Sequence, residues 1–382
     1  MFQYTCLNPI AAVGLDNLTE DYTKTEDFAQ ADAVLVRSAA MHDMELSDKL
    51  CAIARAGAGV NNIPLDKCAE KGIVVFNTPG ANANGVKELL ISGMLLAARD
   101  IVGGIDWVKA NADDENISKS MEKAKKNFAG SELKGKKLGV IGLGAIGVLV
   151  ANAANRLGMD VYGVDPFLSV KNALTLSRDI TVCKSYDELY KTCDYITVHV
   201  PYMPETKGLL NKAAFDQMKD GVVVLNFARD LLVNDDDMKE ALESGKVAKY
   251  VTDFADDVVL GEENVIVLPH LGASTPESED NCATMAAHEL IDYIEKGTIK
   301  NSVNFPNAEL AKTGDHLVCV LHKNVPALIA QITSVVSDKG ANIENLVNKS
   351  KKDWAYTMLD VTGDVDADAF KSIEGVVGVR VL

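Results

Sequence analysis

The sequence predicts an α/β protein: a doubly wound parallel sheet, with a smaller α+β unit of ferredoxin-like order at its C-terminal end. Three observations point there. Short apolar runs alternate with helical segments between residues 137 and 270, the pattern of parallel strands joined by crossovers. A G-x-G-x-x-G turn, GLGAIG at 142–147, stands directly after the first of those runs. Residues 315–382 read β-α-β-β-α-β.

Taken in order, DAVLVR at 32–37 and IVVF at 73–76 predict strands, and apolar spacing in MELSDKLCAIARA predicts a helix over 44–56 between them. Residues 85–110 predict one long helix bent at Gly103 and Gly104. The stretch 111–134, rich in Lys and Glu, predicts a polar excursion without strands. From KLGVIG at 137 onward, strands follow at DVYGVD (160–165), YITVHV (195–200), GVVVLNF (221–227), KYVTDF (249–254) and NVIVLPH (264–270). Of the helices between them, NDDDMKEALES at 234–244 gathers its acids in the first turn, where the helix dipole favours them. PESEDNCATMAAHELIDYIEK at 276–296 predicts an amphipathic helix with proline in its first turn. NSVNFPNAELAKTGD at 301–315 reads as a linker. Beyond it come LVCVLH, a helix at 326–339, NIENLVNKS, AYTMLDV, a short helix near 366–373, and VVGVRVL.

At 382 residues, 47% hydrophobic and 24% charged, the chain is long enough for two or three folded domains. Its net charge of −17 repels nucleic-acid phosphates and anionic membrane surfaces, so neither is expected as a partner. The seven cysteines are scattered without C-x-x-C, which argues against a disulfide framework or a zinc site and for a reducing, cytoplasmic setting. No metal is expected. MFQYTCLNPI lacks a basic leader, so no signal peptide is read. The uncharged stretch 138–155 is broken by four glycines and two asparagines, and reads as strand and helix rather than a membrane span.

In GLGAIG, Gly142 permits the tight turn, Gly144 lets backbone approach a pyrophosphate, and Gly147 lets the helix pack on the sheet. The helix N-terminus then meets the phosphate with amides and positive dipole. Asp165 lies 23 positions after Gly142, at the end of the next strand. A carboxylate there binds ribose hydroxyls and repels a 2′-phosphate, which selects NAD over NADP.

Moving a hydride to or from a hydroxyl carbon needs a proton carrier, and histidine suits it. Of six histidines, His199 and His270 stand at or near C-terminal strand ends, where ligands of such sheets bind. Arg229 ends another strand and suits bidentate binding of a carboxylate. Asp257, after KYVTDF, is placed to hold an imidazolium proton.

RAGAGVNNI (55–63), NTPGANANGVKELL (77–90), GKKLGVIGLGAIG (135–147), HVPYMPETKGL (199–209), LNFARDLLV (225–233) and LPHLGAST (268–275) carry a resemblance over essentially the whole chain. The chain resembles the D-isomer-specific 2-hydroxyacid dehydrogenases, within them the branch that acts on 3-phosphoglycerate and ends in an ACT domain. The resemblance implies a Rossmann NAD-binding domain (89–270) inserted in a flavodoxin-like substrate-binding domain (1–88 and 271–308), followed by a ferredoxin-like ACT domain at 315–382. It implies NAD-dependent oxidation of 3-phospho-D-glycerate to 3-phosphohydroxypyruvate, the first step of L-serine biosynthesis. The alternatives are a dehydrogenase acting on glycerate, hydroxypyruvate or lactate, or an NAD-sensing corepressor without turnover.

By the same resemblance Arg229 grips the substrate carboxylate and carbonyl oxygen, and His270 carries the proton. The family's D-V-F-x-x-E stretch is TDFADD here, so Asp257 stands in the Glu position and Thr252 in the first Asp position, with Asp256 as the alternative acid. Cofactor contacts fall on Gly142, Gly144, Ala145, Ile146, Gly147, Asp165, His199, Phe227, Ala228, Arg229, Thr252, His270, Gly272 and Ala273. Ala58, Gly59 and Val60 form a backbone cradle for the carboxylate, while Arg37, Ser38, Asn82 and Lys126 match positions that hold the phosphate. In the ACT unit His322, Asn324 and Asn342 match residues that bind L-serine between paired copies. A homodimer or homotetramer follows, with 111–134 as the dimerising arm.

Overall fold

Five strands open the chain in a computed structural model that describes residues 1–255 and 257–382: β1 (Phe2–Cys6), β2 (Tyr22–Lys24), β3 (Ala33–Val36), β4 (Ala52–Arg55) and β5 (Val74–Asn77). They form a parallel sheet of order β2-β1-β3-β4-β5. Both faces are covered, so β3 and β4 are apolar at nearly every position, as buried parallel strands are. Ala33, Leu35, Ala54 and Phe76 meet the helix Pro276–Lys296 through Ala286, Leu290 and Tyr293. On the opposite face Val34, Val36, Ile53 and Val75 pack on Met41, Leu46, Leu50 and Ile63.

The helix expected over 44–56 is not formed: its second half is β4, paired between β3 and β5. Met44, Leu46 and Leu50 owe their helix-like spacing to a loop that drops apolar side chains onto one core. The segment 85–110 is two helices, Ala83–Ala98 and Ile101–Ala110. They part at Asp100, whose side chain caps the second helix by accepting the Gly103 amide, so the break lies ahead of the glycines. Residues 111–134 contain no strand, and include a helix at Ile117–Ala124.

The second sheet holds β6 (Lys137–Ile141), β7 (Asp160–Val164), β8 (Thr181–Val182), β9 (Tyr195–Val198), β10 (Val222–Asn226), β11 (Val247–Thr252) and β12 (Val265–Val267), all parallel, in the order β12-β11-β10-β9-β6-β7-β8. One face packs on the helices Ala83–Ala98 and Ala145–Arg156, and the other is covered through Leu189, Phe215 and Met238. The C-terminal strands are β13 (His316–Lys323), β14 (Asn342–Lys351), β15 (Trp354–Thr362) and β16 (Val376–Val381), antiparallel in the order β14-β15-β13-β16. That is the ferredoxin-like arrangement.

Two compact units result, Met1–Asn82 with Pro276–Leu382, and Ala83–Thr275. Within the first, the C-terminal sheet shares a core with the N-terminal one: Leu317, Cys319, Leu321, Tyr356 and Met358 pack in one cluster with Leu35, Phe76 and Tyr293. Among the described residues no helix is long and apolar enough to cross a membrane.

Candidate active site

Because every pairing in the seven-stranded sheet is parallel, the C-terminal ends of its strands share one edge. Strand order reverses between β6 and β9, and loops leaving such a switch point diverge to form a ligand crevice. The sequence-predicted groups of this unit hang from that edge.

The glycine turn follows β6. Gly142 has φ +91°, and a Cβ on it would lie 2.7 Å from the His199 carbonyl oxygen. At Gly147 a Cβ would meet the Gly142 carbonyl, which is why this helix lies so close to its strand. Gly144 caps the helix Ala145–Arg156 without a side-chain hydrogen bond, and among the described residues nothing stands within 4 Å of where its Cβ would be. The amides of Ala145 and Ile146 begin that helix. Asp165 ends β7, its Oδ2 accepting the Leu143 amide at 2.9 Å and its Oδ1 the Phe167 amide at 2.8 Å. An open, amide-rich turn beside a tethered carboxylate fits a dinucleotide with an unphosphorylated ribose.

His199 follows β9. Its Nε2 lies 3.0 Å from Thr197 Oγ1, and burial holds the ring at about 3, far below its ordinary value. It is therefore neutral. Phe227, after β10, is buried with its ring where a side chain on Gly93 would sit. The Ala228 amide donates to Asn226 Oδ1, and Arg229 is exposed, with Nη1 donating to the Ala228 carbonyl. Gly272 is buried against Val86, and Ala273 is half-buried.

His270 stands three residues past β12. Its Nδ1 lies 3.1 Å from Oδ2 of Asp253, which directly follows the neighbouring strand β11 and whose side chain is 2% exposed. The carboxylate raises the imidazole pKa above its ordinary value, outweighing partial burial and the nearby Arg229. Phe254 sets its ring 5.1 Å from the imidazole.

Three expectations change here. The acid paired with His270 is Asp253 and not Asp257, which is exposed in the turn beyond; Asp256 lies outside the described residues. Strand geometry is the reason, since β11 and β12 are adjacent and the residue ending one reaches the loop leaving the other. Thr252 is buried, with its hydroxyl accepting the Phe254 amide, so its side chain is engaged within its own strand end. In the C-terminal sheet His322 is 2% exposed, Nδ1 paired with the Lys323 carbonyl and Nε2 with Thr357 Oγ1, both at 2.8 Å. Both ring nitrogens are engaged, so the ring as it stands offers nothing to serine. Asn324 donates to the Lys352 carbonyl and Asn342 to Glu344.

In the first unit, among the described residues, no acceptor takes the Ala58, Gly59 or Val60 amides. The Ala58 carbonyl accepts from Asn77 and the Gly59 carbonyl from Arg55, which fixes the loop with those amides unspent. Asn8 Oδ1 accepts the amides of Arg37, Ser38 and Ala39. The Arg37 guanidinium pairs with Glu279 at 2.8 Å; both groups are partly exposed, and such pairs yield readily to a competing anion. Asn82 is half-buried, and Lys126 lies exposed in the single turn Lys125–Phe128.

Asp253 is the site residue that sequence reasoning missed. Its signal was an acid directly after the apolar strand ending YVT, where a carboxylate is costly to bury without a partner.

Residues 91–272 match the family described as D-isomer specific 2-hydroxyacid dehydrogenase, NAD binding domain. The D-3-phosphoglycerate dehydrogenase of Haemophilus influenzae is 32% identical over 355 residues, 89% of this chain and 83% of that protein. That of Archaeoglobus fulgidus is 37% identical over 288 residues, 73% of this chain and 52% of that protein, so the chain spans about half its length. Among solved structures, NAD+-bound 3-phosphoglycerate dehydrogenase of Entamoeba histolytica superposes with a TM-score of 0.62 at 27% identity, over 81% of this chain and 99% of that one. A glyoxylate reductase from Paecilomyes thermophila gives 0.65 at 23% identity, over 79% of this chain and 98% of that one, a likeness of fold alone.

Proposed function

The chain belongs to the D-isomer specific 2-hydroxyacid dehydrogenases, and from that premise we propose that it oxidises 3-phospho-D-glycerate to 3-phosphohydroxypyruvate with NAD. The observation that carries this reading is the edge where Arg229, the Asp253–His270 pair and the glycine turn end strands of one parallel sheet. NAD, when bound, supplies the hydride acceptor. Ala145 and Ile146 of the turn would hold its pyrophosphate and Asp165 its ribose. Arg229 presents paired N–H donors to the substrate carboxylate and the oxygen that becomes carbonyl. His270, its Nδ1–H committed to Asp253, takes the hydroxyl proton on Nε2. Ala58 to Val60 supply amides for the carboxylate, and Arg37, Ser38, Asn82 and Lys126 are assigned to the phosphate. The deciding experiment follows NADH formation with 3-phospho-D-glycerate beside D-glycerate and D-lactate. Faster turnover of either unphosphorylated acid would overturn the substrate.

The domain roles follow: 1–88 with 271–308 for substrate, 89–270 for cofactor, 315–382 for regulation. A homodimer or homotetramer is supported by Ile101, Val102, Ile105 and Val108, apolar and exposed on the helix Ile101–Ala110. Seven free thiols support a cytoplasmic setting. L-Serine as an effector rests on Asn324 and Asn342, since His322 is engaged within its own sheet. Calorimetry of the full chain and an Asn342→Ala variant with L-serine tests it, and no heat from the parent chain removes the effector.

A further inference from the structure

We propose that a cavity within the first compact unit binds a small organic ammonium on the carboxylate of Glu289. None of the residues assigned above to cofactor or substrate lines it. The cavity has a volume of about 470 Å³ and is bounded by Gly80 and Ala81 after β5, by one face of the helix Pro276–Lys296, and by the chain at 298–301. Glu289 stands out in its wall. It is 6% exposed, one oxygen accepts the Asn301 side-chain amide at 2.7 Å, and among the described residues Oε2 has no hydrogen-bond partner. Asn301 holds its end of that pairing from a left-handed backbone, φ +57°, which residues other than glycine seldom adopt.

A half-satisfied carboxyl is costly to bury, and packing alone would be met as well by an apolar side chain. The chemistry that completes it follows from the charges around it. On its own helix Asp292 lies one turn on, paired with Lys296 at 2.7 Å, and His288 sets Nε2 3.0 Å from Asn17. From the chain beyond, Lys300 turns to Glu309 at 3.4 Å. Gly80 and Ala81 bring no charge, so among the described residues no cation is committed to Glu289. Burial, with Asp292 adding to it, outweighs the Asn301 hydrogen bond and keeps a proton on the carboxyl up to about 8. That proton occupies the place of a cation. An ammonium head donates N–H to Oε2, Glu289 yields its proton to solvent, and one proton leaves for each cation bound. Met285 and Ala81 offer the alkyl stem an apolar wall.

Calorimetry of the full chain with propylammonium tests this, beside propanol, which lacks the charge, and tetramethylammonium, which lacks the N–H. Propylammonium alone should bind, with a Kd that tightens roughly tenfold per pH unit as pH rises from 6 toward 8. Heats in two buffers of different ionisation enthalpy should show about one proton released per ligand at pH 7. Glu289→Gln, which keeps an oxygen for Asn301, should abolish the binding. Should that variant fail to fold, the pH series on the parent decides. No binding of propylammonium at pH 8, equal binding of propanol or tetramethylammonium, a Kd indifferent to pH, or binding that survives Glu289→Gln would each overturn the proposal. Turnover is not read, so the result is independent of the dehydrogenase reading.

Discussion

Oδ2 of Asp165 accepts the Leu143 amide at 2.9 Å, so the carboxylate ending β7 is tied to the phosphate turn leaving β6. Its charge is held in place by the backbone it adjoins. A 2′-phosphate brought to this carboxylate meets a like charge that cannot swing away. Asp165→Ser should therefore narrow the preference for NAD over NADP by roughly tenfold or more in kcat/KM, the scale of one unit-charge repulsion at partly screened contact. NAD affinity should fall as well, because the turn loses a tether. Steady-state kinetics with both cofactors check this; a parent protein indifferent to the 2′-phosphate would refute it.

His270→Ala should lower kcat by roughly 10²–10⁴-fold, the usual worth of a positioned proton acceptor. In the oxidation direction the ring must be neutral, and Asp253 raises its pKa above the ordinary 6.5. Turnover by the parent should then rise with pH through a value above 6.5, and that limb should vanish in the alanine variant. A pH–rate profile of the two proteins is the measurement.

Arg229→Ala should raise KM for the hydroxy acid and lower kcat, with a smaller loss of NAD affinity. Arg229→Lys should recover only part, since a single ammonium cannot reproduce two parallel N–H donors. Fluorescence titration of the cofactor beside substrate kinetics separates the two effects. Loss confined to NAD binding would remove Arg229 from the substrate.

Glu289 is buried, with one oxygen accepting from Asn301 at 2.7 Å, and desolvation pushes its pKa up to about 8. The unfolded carboxyl ionises near its ordinary 4.5 while the folded one keeps its proton to about 8. The native state thus binds more protons between those values, and stability falls as pH rises across them. Glu289→Gln should flatten that fall, gaining on the parent at pH 8 more than at pH 5 in thermal melts. An equal difference at both would show that ionisation plays no part.

Legibility in the sequence followed locality. GLGAIG declares itself because each glycine answers a constraint within a few residues: the left-handed φ of Gly142, the open space over Gly144, the contact of Gly147 with the Gly142 carbonyl. The helix Pro276–Lys296 was readable from its proline and its period. The segment 44–56 misled because loop residues Met44, Leu46 and Leu50 fill a core at helix-like spacing, while Ala52–Arg55 takes its strand form from neighbours far along the chain. The pairing of Asp253 with His270 is of the same kind. It depends on β11 lying beside β12, and no spacing along the chain encodes that.

Arg380 of β16 donates to the Tyr293 and Ile294 carbonyls at the end of the helix Pro276–Lys296 and lies over the Tyr293 ring. Tyr356 of β15 donates to the Gly297 carbonyl just beyond. Together with the common core, these contacts bear on how the protein could change over generations. An appended module is usually a reversible acquisition, lost by one deletion that leaves its host intact. Deleting this one would open the shared core and leave the end of the helix Pro276–Lys296 without its Arg380 and Tyr356 partners. Removing the C-terminal sheet would therefore cost the N-terminal unit part of its own core, and the face it covers would have to be rebuilt.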